Sequence, residues 1–170
     1  MTAAATRALE VVTRAGVDHR VHPYALPERH GRARDERPNY GLEAAAALGV
    51  EPARVFKTLV ASVDDELVLA VVPVDRDLDL KRLAAATGGR RAVMADPAEA
   101  ERATGSVVGG ISPLGSRRPL PVVVDSSAAD HDTVFVSAGR RGLQLEIAAN
   151  DLVRLAGATS ARIARDDEVA

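Results

Sequence analysis

The chain has 170 residues, a formal net charge of −2 from 22 basic and 24 acidic side chains, 46% hydrophobic residues and no cysteine. This balance excludes a disordered or collagen-like chain, and the near-neutral charge excludes a general nucleic-acid coat. The lack of cysteine excludes disulfides, thiolate metal sites and a cysteine nucleophile.

Residues 3–15 are predicted as an amphipathic helix, with Leu9 and Val12 on one face and Gly16 as its stop. Val17, His19 and Val21 alternate with polar residues toward Tyr24, a strand pattern. Pro27 to Pro38 carries Arg29, Arg32, Arg34 and Arg37 beside Glu28, Asp35 and Glu36, and reads as an exposed loop. Asn39 can cap a helix from Leu42 to Leu48, closed by Gly49. Val55 to Val63 and Glu66 to Val74 are predicted as a hairpin around Asp64-Asp65, with the continuous apolar run Leu67 to Val72 central in its sheet.

A helix from Asp79 to Thr87 and a short strand from Arg91 to Met94 come next. Asp96 and Pro97 then open a helix to Thr104. Pro121 to Val124, Thr133 to Val136 and Leu143 to Ile147 read as strands. Asn150 or Asp151 starts a helix to Ala156, and Thr159 to Ile163 is a last strand. Helices interleave with strands that look hairpin-linked. The expected fold class is therefore α/β of the α+β kind, a mixed, mainly antiparallel sheet flanked by helices. Residues 1–165 are expected as one domain and 166–170 as a flexible tail.

No uninterrupted apolar run approaches the roughly 18 residues of a membrane helix, and the first residues lack a secretion-signal pattern. A cytoplasmic protein with no membrane partner is the expectation.

Of the 22 basic residues only Lys57 and Lys81 are lysines. Lys57 lies in the apolar stretch Val55-Phe56-Lys57-Thr58-Leu59 and shares a strand face with Val55 and Leu59. It either extends its amine to water or stands at a pocket mouth as a point charge for an anion or polar substrate. The segment Gly109-Gly110-Ile111-Ser112-Pro113-Leu114-Gly115 lacks the lysine of a phosphate-binding P-loop and the glycine spacing of a nucleophile elbow. It is either a structural turn or a loop whose amides meet an oxyanion, with Arg117 and Arg118 just beyond. Ser137 to Gly142, with Arg140 and Arg141, is either a hairpin turn or a phosphate contact. His19 and His22 do not form a convincing metal site, and the alternation Asp75, Asp77, Asp79 fits helix capping better than a calcium loop.

Several stretches together resemble one family. They are His22-Pro23-Tyr24, Asn39-Tyr40-Gly41, Val55 to Leu59, Met94-Ala95-Asp96-Pro97, Thr104-Gly105, Val108 to Gly115 and Val136 to Leu143. The chain resembles the YbaK branch of the prolyl-tRNA editing family, deacylases similar to the inserted editing domain of bacterial prolyl-tRNA synthetase. The resemblance implies a barrel-like mixed sheet and a free-standing enzyme that removes cysteine mischarged on tRNA(Pro). In that chemistry the substrate's own thiol attacks its ester, so no protein nucleophile or cofactor is required. It also implies that Lys57, Gly109 and Gly110 are catalytic, and that Tyr24, Tyr40, Ser112, Ser137 and Gln144 bind substrate. Arg117, Arg118, Arg140 and Arg141 are the implied tRNA phosphate contacts. Gln144 stands where some relatives carry Asp. The implied partners are aminoacylated tRNA(Pro) and, optionally, prolyl-tRNA synthetase, with neither DNA nor metal. Two other readings are a deacylase for alanine or another small amino acid, and a non-catalytic tRNA- or synthetase-binding module.

Overall fold

The computed structural model describes residues 5–26 and 39–168, so the arginine-rich Pro27 to Pro38 segment lies outside the described residues. Helix α1 (Arg7–Ala15) starts where Thr6 Oγ1 accepts a hydrogen bond from the Leu9 N–H at 3.1 Å. Strand β1 (His19–Pro23) follows. Helix α2 (Tyr40–Leu48) is capped as predicted, Asn39 Oδ1 accepting from the Leu42 N–H at 3.0 Å. Strands β2 (Phe56–Val63) and β3 (Glu66–Pro73) form the expected hairpin. Asp64 and Asp65 turn it at φ 49° and 71°, the left-handed pair a two-residue hairpin loop needs.

The remaining elements are β4 (Arg76–Leu78), α3 (Leu80–Ala86), β5 (Ala92–Met94), α4 (Pro97–Thr104) and β6 (Val122–Asp125). They are followed by β7 (Thr133–Ser137), β8 (Leu143–Ala148), α5 (Ala149–Ala156), β9 (Thr159–Ala161) and β10 (Ala164–Glu168). Among the described residues no helix is long and apolar enough to cross a membrane.

The architecture is mixed, with helices around three sheets. The largest runs β5-β2-β3-β6-β9, with β3 at its centre as its apolar run predicts. β6 is parallel to both β3 and β9, while the β2–β3 and β2–β5 ladders are antiparallel. A second, antiparallel sheet runs β1-β8-β7, and β10 pairs with β4. The barrel-like expectation needs correction. Among the described residues a single parallel bridge, Val55 to Phe135, joins the large sheet to the three-stranded one, too little pairing to close a barrel.

Local differences also have causes. Asp96 makes no capping hydrogen bond; α4 begins on Pro97, whose fixed φ suits a first turn. Arg76–Leu78, within the stretch assigned to capping, is a strand because β10 pairs with it. Asp166, expected in a loose tail, lies in β10 and is paired with Arg82.

Strand alternation divides the core. Phe56, Val60, Leu69 and Val71 pack against Val134, Val136, Leu143, Leu145 and Ile147 of the three-stranded sheet, with Val12 and Leu152 from the helices. The opposite face of β2–β3 (Ala61, Val68, Ala70, Val72) is covered by Leu83 and Ile163. Burying each such leucine contributes about 1.5–3 kcal/mol. A third cluster, Ala45, Val55, Val74 and Phe135, seats α2 over the junction of the two sheets.

Candidate functional site

The Val55–Phe135 bridge fixes the geometry of that junction. Side chains alternate along strands, so Lys57 shares a face with Val55, and Ser137 with Phe135. The bridge is parallel, so Lys57 and Ser137, each two residues onward, stand at one level. Gln144 is the register partner of Ser137 on β8, and His22 is that of Gln144 on β1. Gly41 brings the start of α2 against Val74: a Cβ there would stand 2.1 Å from a Val74 methyl. Lys57, Ser137 and Gln144 therefore face away from the inter-sheet core, on the side where α2 packs over Val55 and Phe135.

The Lys57 side chain is 22% exposed, and its Nζ lies 3.9 Å from Asp77 Oδ1, an ion pair too long for a hydrogen bond. Burial lowers the Lys57 pKa, while the charges of Asp77 and Asp75 oppose the drop. Two buried acceptors near this level have no hydrogen-bond partner among the described residues, Asp75 Oδ1 and Gln144 Oε1. Gln144 is 6% exposed.

The glycine loop is held by β7. Ser137 Oγ donates to the Gly110 carbonyl at 2.8 Å and accepts from the Gly139 N–H at 3.1 Å. The Gly110 N–H donates to the Val107 carbonyl at 2.9 Å. Of the glycine pair, it is therefore the Gly109 amide that makes no backbone hydrogen bond among the described residues and can meet a ligand oxygen. Gly109 has φ 90°, and a Cβ there would meet the Tyr40 ring at 2.6 Å; one on Gly110 would meet the Arg141 backbone nitrogen at 2.8 Å. The Arg141 guanidinium sits 4.4 Å from the Tyr40 ring centroid, and its Nε donates to the Val108 carbonyl at 2.8 Å. Tyr24 joins from β1, its N–H donating to the Gly142 carbonyl at 3.0 Å. Tyr24, Tyr40, Gly109, Gly110, Ser137, Arg140 and Arg141 thus share one neighbourhood.

Three of the sequence-derived residues lie elsewhere. Ser112 is buried, its Oγ accepts from the Leu114 N–H at 3.2 Å, and it lines a cavity of about 280 Å³ with Thr6, Arg7 and Ser106. Arg117 and Arg118 belong to that side: their N–H groups donate to Thr104 and Ala103, and their side chains are exposed.

Sequence reasoning missed Asp75 and Asp77. The signal was present in the alternating aspartates, of which Asp79 alone caps a helix, accepting from the Lys81 and Arg82 N–H groups. It also missed Glu146 as a network centre. Thr133 Oγ1 donates to Glu146 at 2.7 Å, His22 Nε2 lies 2.9 Å away, and Arg54 lies at 3.6 Å. These contacts, the Thr133 hydrogen bond foremost, hold the Glu146 carboxyl below the usual carboxylate range. A depressed carboxylate stabilises the fold above its unfolded pKa, and the contribution is lost as pH falls through the folded one. Glu146→Gln is therefore expected to cost about 1 kcal/mol at pH 7. Urea unfolding of both proteins at pH 7 and pH 3 should show the deficit at the first and not at the second.

Residues 40–155 match the family model described as the aminoacyl-tRNA editing domain. A protein of Enterococcus faecalis, named as a candidate Cys-tRNA(Pro)/Cys-tRNA(Cys) deacylase, EbsC, is 34% identical over 160 residues, 93% of this chain and 92% of its own. The multifunctional Ser/Thr-tRNA deacylase ProXp-y of Escherichia coli is 34% identical over 90 residues, 52% of this chain and 54% of its own. Among solved structures, a candidate trans-editing enzyme for prolyl-tRNA synthetase superposes with a TM-score of 0.78 at 25% identity, covering 97% of this chain and 99% of that one. Its matched length and its fold agree: the chain belongs to the aminoacyl-tRNA editing domain family.

Proposed function

We propose that this protein is a trans-acting deacylase that removes cysteine mischarged on tRNA(Pro) in the cytoplasm. The observation that carries the reading is the placement of Lys57, the Ser137-anchored glycine loop and Gln144 on one side of the sheet junction, in a chain matched to EbsC over nearly its whole length. Lys57 is a point charge for the polar end of the ester, and the Gly109 N–H is a donor for the carbonyl oxygen as negative charge develops. A donor so placed lowers a barrier by about 3 kcal/mol. Tyr24 and Tyr40 offer faces on which the terminal bases of a single-stranded end stack.

The substrate supplies the nucleophile. The cysteine thiol attacks the ester carbonyl, a carbon–sulfur bond forms, the carbon–oxygen bond to the ribose breaks, and the thiol proton passes to the leaving ribose oxygen. The product is a cyclic thiolactone and free tRNA. The protein's part is to fix the reacting groups in the attacking geometry, which alone accounts for a large share of such barriers. The test is the release of amino acid from Cys-, Ala-, Ser- and Pro-tRNA(Pro), with S-methyl-Cys-tRNA(Pro) as the blocked thiol. Cysteine should leave selectively and the S-methyl ester should persist; equal loss of both removes the thiol-assisted step. A second reading, release of serine or threonine, is favoured by the likeness to ProXp-y. The same panel separates the two.

Arg140 and Arg141 stand against the glycine loop and are proposed to meet acceptor-end phosphates, with Arg117 and Arg118 on the far side of the loop. Arg141 also stacks on Tyr40, an interaction of about 0.5–1 kcal/mol when exposed. Arg141→Ala should weaken tRNA binding roughly three- to tenfold and reduce the salt slope of log K by about one. Titration of labelled tRNA at several salt concentrations measures both.

A further inference from the structure

Three alternating aspartates follow β3, and the structure gives each a different fate. Asp79 is occupied by the α3 cap. Asp77 is 62% exposed, with water to satisfy it. Asp75 keeps a buried carboxylate oxygen with no donor, close enough to Lys57 for its charge to raise that amine's pKa. Lys57 itself makes no hydrogen bond among the described residues, its one ion pair being 3.9 Å long. Lys57 thus keeps unused donors, and Asp75, two residues from its ion-pair partner Asp77, keeps an unused acceptor. On the three-stranded sheet, the 94% buried Gln144 adds a second acceptor without a donor.

An aminoacyl ester has the complementary pair on neighbouring carbons, a carbonyl oxygen that accepts and an α-ammonium that donates. We propose that Asp75 binds the free α-ammonium of the aminoacyl group, so that the site accepts esters with a free α-amine and rejects N-acylated ones. The assignment rests on the deacylase reading for the identity of the ligand.

The bond is charge-assisted and forms out of water, where such pairs are strong. N-acylation removes the positive charge and two of its three donors, and leaves Asp75 Oδ1 without a donor. Sites built to hydrogen-bond a substrate group discriminate sharply against analogues that lack it. Peptidyl esters carry the same blocked nitrogen, so this one contact separates mischarged tRNA from tRNA already engaged in chain growth.

The test uses a non-cleavable amide, 3′-deoxy-3′-(L-cysteinylamino)adenosine, and its N-acetyl form, titrated calorimetrically into the intact protein. Wild type should bind the free amine at least tenfold more tightly. Asp75→Asn should bind the two forms alike, and Asp75→Glu should recover part of the preference. Equal binding by wild type, a preference that survives Asp75→Asn, or binding of neither form overturns the proposal. The wild-type comparison needs no variant to fold. A free-amine preference in a protein that cleaves no charged tRNA supports the Asp75 contact and removes the deacylase reading instead.

Discussion

Lys57→Ala is expected to lower kcat/KM on Cys-tRNA(Pro) by about 100-fold or more, the usual consequence of losing a donor aimed at developing charge. The fold should be unaffected within about 0.5 kcal/mol, because the ammonium makes no hydrogen bond and its burial opposes its charge. Lys57→Arg is not a conservative replacement at this position. The guanidinium is a planar fork that spreads its charge and needs more room than the compact ammonium beside Asp77 and Asp75. Most of the loss should remain in Lys57→Arg. Single-turnover deacylation with thermal melts of the three proteins measures both effects.

Gly110→Ala should be nearly as severe, by another route. The new Cβ would stand 2.8–2.9 Å from the backbone of Arg140 and Arg141, which cannot rotate away as a side chain tip can. The turn after β7 must move, and with it the Ser137 bond to the Gly110 carbonyl that sets the loop. Overpacking of this kind costs about 1–3 kcal/mol of stability. Displacing the loop by about 1 Å from an attacking geometry costs about 100-fold in rate. Gly109→Ala meets the Tyr40 ring instead, which can swing, but it also forces alanine to φ 90°. Equilibrium unfolding and turnover measured on Gly110→Ala separate the two losses. A variant with normal turnover would remove the loop from the chemistry.

Much of this was legible in the chain itself. The hairpin followed from the apolar runs on either side of Asp64-Asp65, and the central place of β3 from its lack of polar interruption. The caps at Asn39 and Asp79 were readable because capping is local chemistry. Two things were not readable, because both depend on pairing between distant segments. β10 exists only because β4 lies beside it, so neither strand carries a strong period of its own. The open sheets depend on the lone Val55–Phe135 bridge, which no local pattern encodes.

The same distinction divides the site. Lys57 stood out by composition and Gly109-Gly110 by local sequence. That Ser137 spends its hydroxyl on the loop, that Gly110 spends its N–H on Val107, and that Ser112 lines a cavity elsewhere all required the tertiary arrangement. Asp75 was hidden for a related reason. Three evenly spaced aspartates before a helix look alike in sequence, and only the fold shows which one keeps a buried oxygen without a partner.

The central claim is that the site proposed around Lys57 at the sheet junction releases cysteine from tRNA(Pro). The most direct measurement is the rate of cysteine release from Cys-tRNA(Pro) by wild type and Lys57→Ala, with Pro-tRNA(Pro) as the correctly charged control. Rapid, Lys57-dependent loss of cysteine with proline retained is the predicted result. Cysteine that stays on the tRNA while the protein still binds it would contradict the claim and leave a binding module in the editing fold.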